Sequence, residues 1–185
     1  FIAVTQDGAG NVVYDGGFPK LYNQYAVLPQ PSGYSIRLNA NNTASGGNDY
    51  YYDCFSELDV LIESGDKLVY DIFCTGITCQ SGVDAVLTNG AFTALRHYND
   101  IVDQNGIRLH PVSDISARAR RTWYHREIDL TPAAGATATR WMIGLEADGT
   151  GLYQANVKEV YVKRADGTTK ATLFNESTGL TVPAL

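Results

Sequence analysis

The chain has 185 residues, enough for one domain built around one continuous core. Hydrophobic residues make up 44% of it, which excludes wholesale disorder, and only 18% are charged, below the usual fraction of about 25%. A formal net charge of −6 argues against nucleic-acid binding through phosphate neutralisation, and no apolar run approaches the ~20 residues of a membrane-spanning helix.

Helical periodicity is nearly absent. Short runs of alternating apolar and polar residues recur instead, separated by Gly, Asn and Asp, the pattern of an all-β sandwich or barrel. The first expected strands are residues 1–5 and 11–14, joined by Asp7-Gly8-Ala9-Gly10. Residues 28–33 carry Pro29 and Pro31 and are expected to be irregular; residues 40–48 read as an exposed Gly/Asn/Ser loop. Strands are then expected at 34–39, 49–54, 67–75, 84–88, 91–97, 122–130, 140–146, 154–163 and 170–175. Asn89-Gly90 and Asp166-Gly167 separate apolar runs, and both dipeptides readily adopt the positive φ of tight turns. No repeat and no change of composition divides the chain. The expectation is a single domain over 1–185 with little helix, in which residues 1–30 form an arm or an edge segment.

Two strands reveal their faces. Leu68, Tyr70, Ile72 and Cys74 alternate with Val69, Asp71, Phe73 and Thr75, so both faces are largely apolar and the strand is expected inside a sheet. Trp141, Ile143 and Leu145 share one face of the 140–146 strand, which places Trp141 in the core.

Chemical signatures are sparse. Glu57/Asp59, Glu127/Asp129 and Glu146/Asp148 each sit two residues apart, on one face of a strand, whereas glycoside hydrolysis needs carboxyls on either side of a sugar. His97, His110 and His125 lie in no metal or triad frame, and no phosphate-binding glycine loop is present. Asp7, Asp15, Glu146 and Asp148 sit in oxygen-rich turns and are the candidate ligands of a structural calcium, a cation that takes six to eight oxygens. Of the cysteines, Cys74 and Cys79 flank a four-residue turn. They read either as a disulfide, which implies an oxidising compartment, or with Cys54 as small buried hydrophobes.

The aromatic residues are the most informative feature. Twelve tyrosines and two tryptophans include the runs Tyr50-Tyr51-Tyr52 and Trp123-Tyr124, the second lying within the basic cluster Arg118, Arg120, Arg121 and Arg126, which reads as a surface strip. Neighbours in a strand point to opposite faces, so each run turns at least one ring outward or over a groove. A flat ring suits the C–H face of a sugar or a half-wet protein interface. The candidate ligand-binding residues are therefore Tyr50, Tyr51, Tyr52, Trp123, Tyr124, Arg121, His125 and Arg126.

Residues 123–132, Trp-Tyr-His-Arg-Glu-Ile-Asp-Leu-Thr-Pro, lead through Gly135 to the Trp141 strand and then to Gly151-Leu152-Tyr153-Gln154-Ala155. This order resembles jelly-roll carbohydrate-binding modules over residues 123–163. The resemblance implies two antiparallel sheets and a non-catalytic, lectin-like role. Residues 10–23, Gly-Asn-Val-Val-Tyr-Asp-Gly-Gly-Phe-Pro-Lys-Leu-Tyr-Asn, resemble segments of tailed-phage tail-fibre and decoration modules. That resemblance implies assembly with neighbouring protein subunits, including other copies of the chain. Three functional readings stand, in this order: a carbohydrate-binding β-sandwich acting extracellularly, a structural module on a virion surface, and a glycan-active hydrolase or lyase. The partners expected are a glycan or neighbouring subunits.

Overall fold

The computed structural model describes residues 5–6, 12–13, 21–30, 33–42, 49–74, 80–114, 122–147 and 150–175. Among them are twelve strands: β1 (Thr5–Gln6), β2 (Val12–Val13), β3 (Leu21–Gln30), β4 (Gly33–Asn42), β5 (Asp49–Ser56), β6 (Val60–Leu61), β7 (Lys67–Cys74), β8 (Ser81–Thr88), β9 (Trp123–Asp129), β10 (Thr137–Ala147), β11 (Gly151–Lys163) and β12 (Thr169–Phe174). Helical structure is confined to the 3-10 turns Leu95–His97, Pro111–Asp114 and Thr131–Ala133.

The strands pair antiparallel in two sheets. The larger runs β1-β2-β3-β4-β11-β7-β9 with β12 beside β11; the smaller runs β5-β10-β6 with β8 on the other flank of β10. From β4 onward the main strands alternate between sheets, so β4, β7, β9 and β11 belong to one and β5, β8 and β10 to the other. The order β4-β11-β7-β9 packed on β5-β10-β8 is a jelly-roll winding. The expected all-β sandwich is the observed fold.

Alternation along each strand builds the core. Ile36 and Leu38 of β4, Leu68, Tyr70 and Ile72 of β7, Ile128 of β9, and Ala155 and Val157 of β11 meet Val83 and Ala85 of β8 and Trp141, Ile143 and Leu145 of β10 in one buried cluster. Burying each large apolar side chain is worth roughly 1.5–3 kcal/mol. Trp141 is fully buried, as its strand pattern requires, and its indole N–H donates to the Leu58 carbonyl at 2.9 Å. β7 lies between β11 and β9, the interior position its two apolar faces demand. The Asp166-Gly167 turn closes β11 on β12 with Gly167 at φ 87°, while Asp166 accepts from the Thr168 N–H at 2.9 Å and its hydroxyl at 2.7 Å. Lys170 then ties β12 to the Asp66 carboxylate at 2.6 Å.

Three local expectations are corrected. Residues 28–33 are not irregular throughout: β3 continues through Pro29, opposite Tyr34, to Gln30, opposite Gly33. A proline near a strand end forfeits only one ladder donor. Residues 91–97 form no strand. Asn89 turns the chain at φ 59°, Ala94 makes a single bridge to Val86, and the Arg96 N–H donates to the Asp84 side chain at 3.1 Å rather than to a ladder. The third correction is Arg126, expected at a ligand surface. It is 2% exposed, and its guanidinium donates to Asp103 Oδ2 at 2.8 Å, Tyr70 Oη at 3.1 Å and the carbonyls of Ile107 and Arg108 at 3.1 and 3.0 Å. Asp103 in turn accepts from the backbone N–H groups of Asn105 and Ile107 at 2.9 and 3.0 Å.

Cys74 is disulfide-bonded and Cys54 carries a free thiol; Cys79 lies outside the described residues.

Removing one partner of a buried ion pair strands the other charge. Asp103→Ala is expected to lower the unfolding free energy by about 3–5 kcal/mol. A lower urea midpoint at unchanged slope checks it.

Candidate functional site

The register of the smaller sheet sets out its outward face in rows. Tyr50 stands opposite Glu146, Tyr52 opposite Gly144, and Cys54 opposite Met142, with Asp84 of β8 on the other side of Met142. Directly opposed residues in an antiparallel pair share a face. The core residues Trp141, Ile143 and Leu145 occupy the reverse side of β10. One aromatic strand, one acidic strand end and one buried aspartate therefore meet on the same surface.

Gly144 is what lets them meet. A methyl group there would drive into the Tyr52 ring, so the ring lies across bare backbone. From that position the Tyr52 hydroxyl donates to Glu146 Oε1 at 2.8 Å. Burial, and then the Glu146 charge, push the phenol far above its ordinary range, so it remains a protonated donor. Glu146 Oε2 makes no hydrogen bond among the described residues. His110, just before the Pro111–Asp114 turn, brings Nε2 within 3.7 Å of Glu146 Oε1.

Arg96 closes the other end. Its guanidinium sits 4.4 Å from the Tyr52 ring centroid, in cation–π geometry, and its Nη1 is 2.5 Å from Asp84 Oδ2. Asp84 Oδ1 accepts the N–H groups of Ala85 at 2.8 Å and Arg96 at 3.1 Å. Burial raises the Asp84 carboxyl, and Arg96 together with these N–H groups pulls it back. Tyr50 completes the face: it is 58% exposed, and its ring lies 6.4 Å from that of Tyr52 at 57°. An exposed ring, a carboxylate with one oxygen unbonded among the described residues and a guanidinium stand within one short stretch of sheet. Such a set can stack an apolar ring face while bonding hydroxyls at its edge.

The other expected residues fall elsewhere. Trp123, Tyr124 and His125 are on β9, in the larger sheet, and so do not join Tyr50 and Tyr52. Trp123 is 37% exposed and packs on Phe73 at 5.4 Å; Tyr124 points inward against the core; His125 Nδ1 bonds Asp71 at 2.8 Å. Of the Tyr50–Tyr52 run, the backbone of Tyr51 pairs with Leu145, and its side chain is outside the described set. Arg121, Asp7, Asp15 and Asp148 also lie outside the described residues, so of the expected calcium ligands only Glu146 can be placed. Among the described residues no group of three His, Cys, Asp or Glu side chains could hold a metal.

Asp84, Arg96 and His110 complete the face without having been expected there. Asp84 had a signal, a charge within the apolar run 81–88, since carboxylates are almost never fully buried unless paired. Arg96 and His110 had none, because both reach the site from irregular chain.

The same-face carboxylate pair on β9 is committed to structure. Glu127 binds Lys67 at 3.1 Å and Lys163 at 2.5 Å, and Asp129 accepts the Thr131 N–H at 2.9 Å. Hydrogen bonds from Lys163 and Lys67 lower the Glu127 carboxyl from 4.5 to about 2. Between those values the unfolded chain holds a proton that the folded one does not, so folding is favoured above pH 4.5 and that advantage fades as pH falls toward 2. Glu127→Gln is expected to flatten the loss of stability across this window, measured by denaturant titrations at stepped pH. No protein-family model matches the chain, and no curated protein is significantly similar to it.

Proposed function

We propose that the chain is a non-catalytic carbohydrate-binding module and that a glycan lies on the outward face of the smaller sheet. The observation that carries the reading is Tyr50, more than half exposed, directly across the strand pair from Glu146 and beside the Tyr52–Arg96 stack. The Tyr50 ring offers a platform for the C–H face of a pyranose. Glu146 Oε2 accepts a sugar hydroxyl, and the Arg96 N–H groups not used by Asp84 donate to another. The Tyr52–Glu146 bond holds the carboxylate ready, which cuts the ordering cost of binding. The disulfide at Cys74 supports an extracellular setting, since such bonds persist in oxidising compartments.

A second reading, a subunit of a virion or other particle, is favoured by the inequality of the sheets. Among the described residues one has eight strands and the other four, and an apolar sheet face needs a cover. Light scattering at high concentration separates the two: a stable monomer leaves the assembly reading without support.

On a glycan array the wild-type chain is expected to be retained by at least one class of uncharged sugar. Tyr50→Ala is expected to abolish that retention while leaving the thermal midpoint unchanged. Retention of an uncharged sugar that survives Tyr50→Ala, or a wild-type chain that binds no uncharged glycan, would overturn the proposal.

A further inference from the structure

The outward face of the larger sheet carries a different arrangement. Trp123 of β9 stands opposite Phe73 of β7, Phe73 opposite Asn156 of β11, and Asn156 opposite Arg37 of β4. Four strands thus contribute one straight row, two rings at one end and a guanidinium at the other. At a spacing of about 4.8 Å between strands the row is about 14 Å long. That exceeds one sugar ring and suits a chain of them.

Arg37 is set up as an anion receptor. Its Nε donates to Asn156 Oδ1 at 3.0 Å, and Asn156 is only 5% exposed, so the guanidinium plane is fixed by a well-packed anchor. Its Nη1 and Nη2 make no hydrogen bond or ion pair among the described residues. Those two nitrogens are the fork that matches a planar carboxylate. Of the carboxylates on the same face, Asp71 bonds His125 at 2.8 Å, and Glu127 bonds Lys67 and Lys163. Lys158 lies 5.1 Å over the Trp123 ring and adds a second positive charge. The charge of the row is therefore opposite to that of the Tyr50 face, where Glu146 keeps an open oxygen.

We infer that this row is a second binding site, separate from the first, and that it takes a uronate-bearing polysaccharide. A sugar ring stacks on Trp123 and Phe73, and a carboxylate farther along the same chain is held by the Arg37 fork. Asn39 and Gln154, one row away and bonded to each other at 2.6 Å, border the ligand with neutral amide groups.

Affinity electrophoresis of the whole chain tests this, in gels carrying a polygalacturonate, a sulfated galactan or an uncharged glucan. Retardation is expected in the polygalacturonate gel. Arg37→Gln and Trp123→Ala are each expected to weaken it about tenfold or more, while Arg37→Lys, which keeps the charge and loses the fork, retains only part of it. Circular dichroism melts guard against a folding defect, and Tyr50→Ala, on the other sheet, is expected to leave this retardation unchanged. The inference is overturned by equal retardation of Tyr50→Ala, which lacks the first face, in the uncharged glucan, by preference for the sulfated galactan, or by indifference to Arg37→Gln. Loss of polygalacturonate binding in Tyr50→Ala would also overturn it, by assigning the acidic ligand to the first face.

Discussion

A charged guanidinium inside the sandwich is the constraint on which the rest of this structure depends. Arg126 is buried, and a buried charge is tolerable only where its donors are paired. The chain meets that demand with one carboxylate, one phenol and two main-chain carbonyls. Those carbonyls belong to Ile107 and Arg108, so irregular chain that lacks a sheet ladder acquires fixed partners in the core. Asp103 extends the network by capping the turn at Asn105 and Ile107. His110 follows directly, which is how a β9 residue on one sheet positions a side chain over Glu146 on the other.

The candidate site repeats this economy with a glycine. Tyr52 could not lie flat on β10 if residue 144 carried a side chain, and a tyrosine standing upright would not reach Glu146. Arg96 lies over that ring. Asp84 then fixes Arg96 twice, through its guanidinium and through its backbone N–H. A carboxylate inside an apolar strand is costly, and here its cost is offset by its bonds to Arg96, which hold that irregular segment over the Tyr52 ring.

How much of this was legible in the chain follows from the range of each interaction. Strand periodicity, the Asp166-Gly167 turn, the inward Trp141 and the interior position of β7 depend on neighbours in sequence, and all were readable. The 91–97 segment misled because its alternation is real but its backbone donor goes to Asp84, twelve residues away. Pro29 misled for the opposite reason: its strand is held by the long ladder to β4, which overrides a local breaker. Arg126 looked like one more member of a basic surface strip. Only the contact with Asp103, twenty-three residues earlier, reveals it as core.

Both candidate faces are products of the winding rather than of any local motif. Because the main strands alternate between sheets, strands adjacent in space are remote in sequence: Tyr52 and Glu146 are 94 residues apart, and Arg37 and Asn156 are 119 apart. Tyr50-Tyr51-Tyr52 and Trp123-Tyr124 announce that rings are available, but adjacency in the chain sends alternate rings to opposite faces. Tyr124 accordingly packs inward while Trp123 remains partly exposed. What converts an available ring into a site is its cross-strand partner: a carboxylate for Tyr50, and for Trp123 a row ending in an arginine. The two sheets thus present surfaces of the same construction and opposite charge, and that difference follows from which strand the jelly roll lays beside each ring.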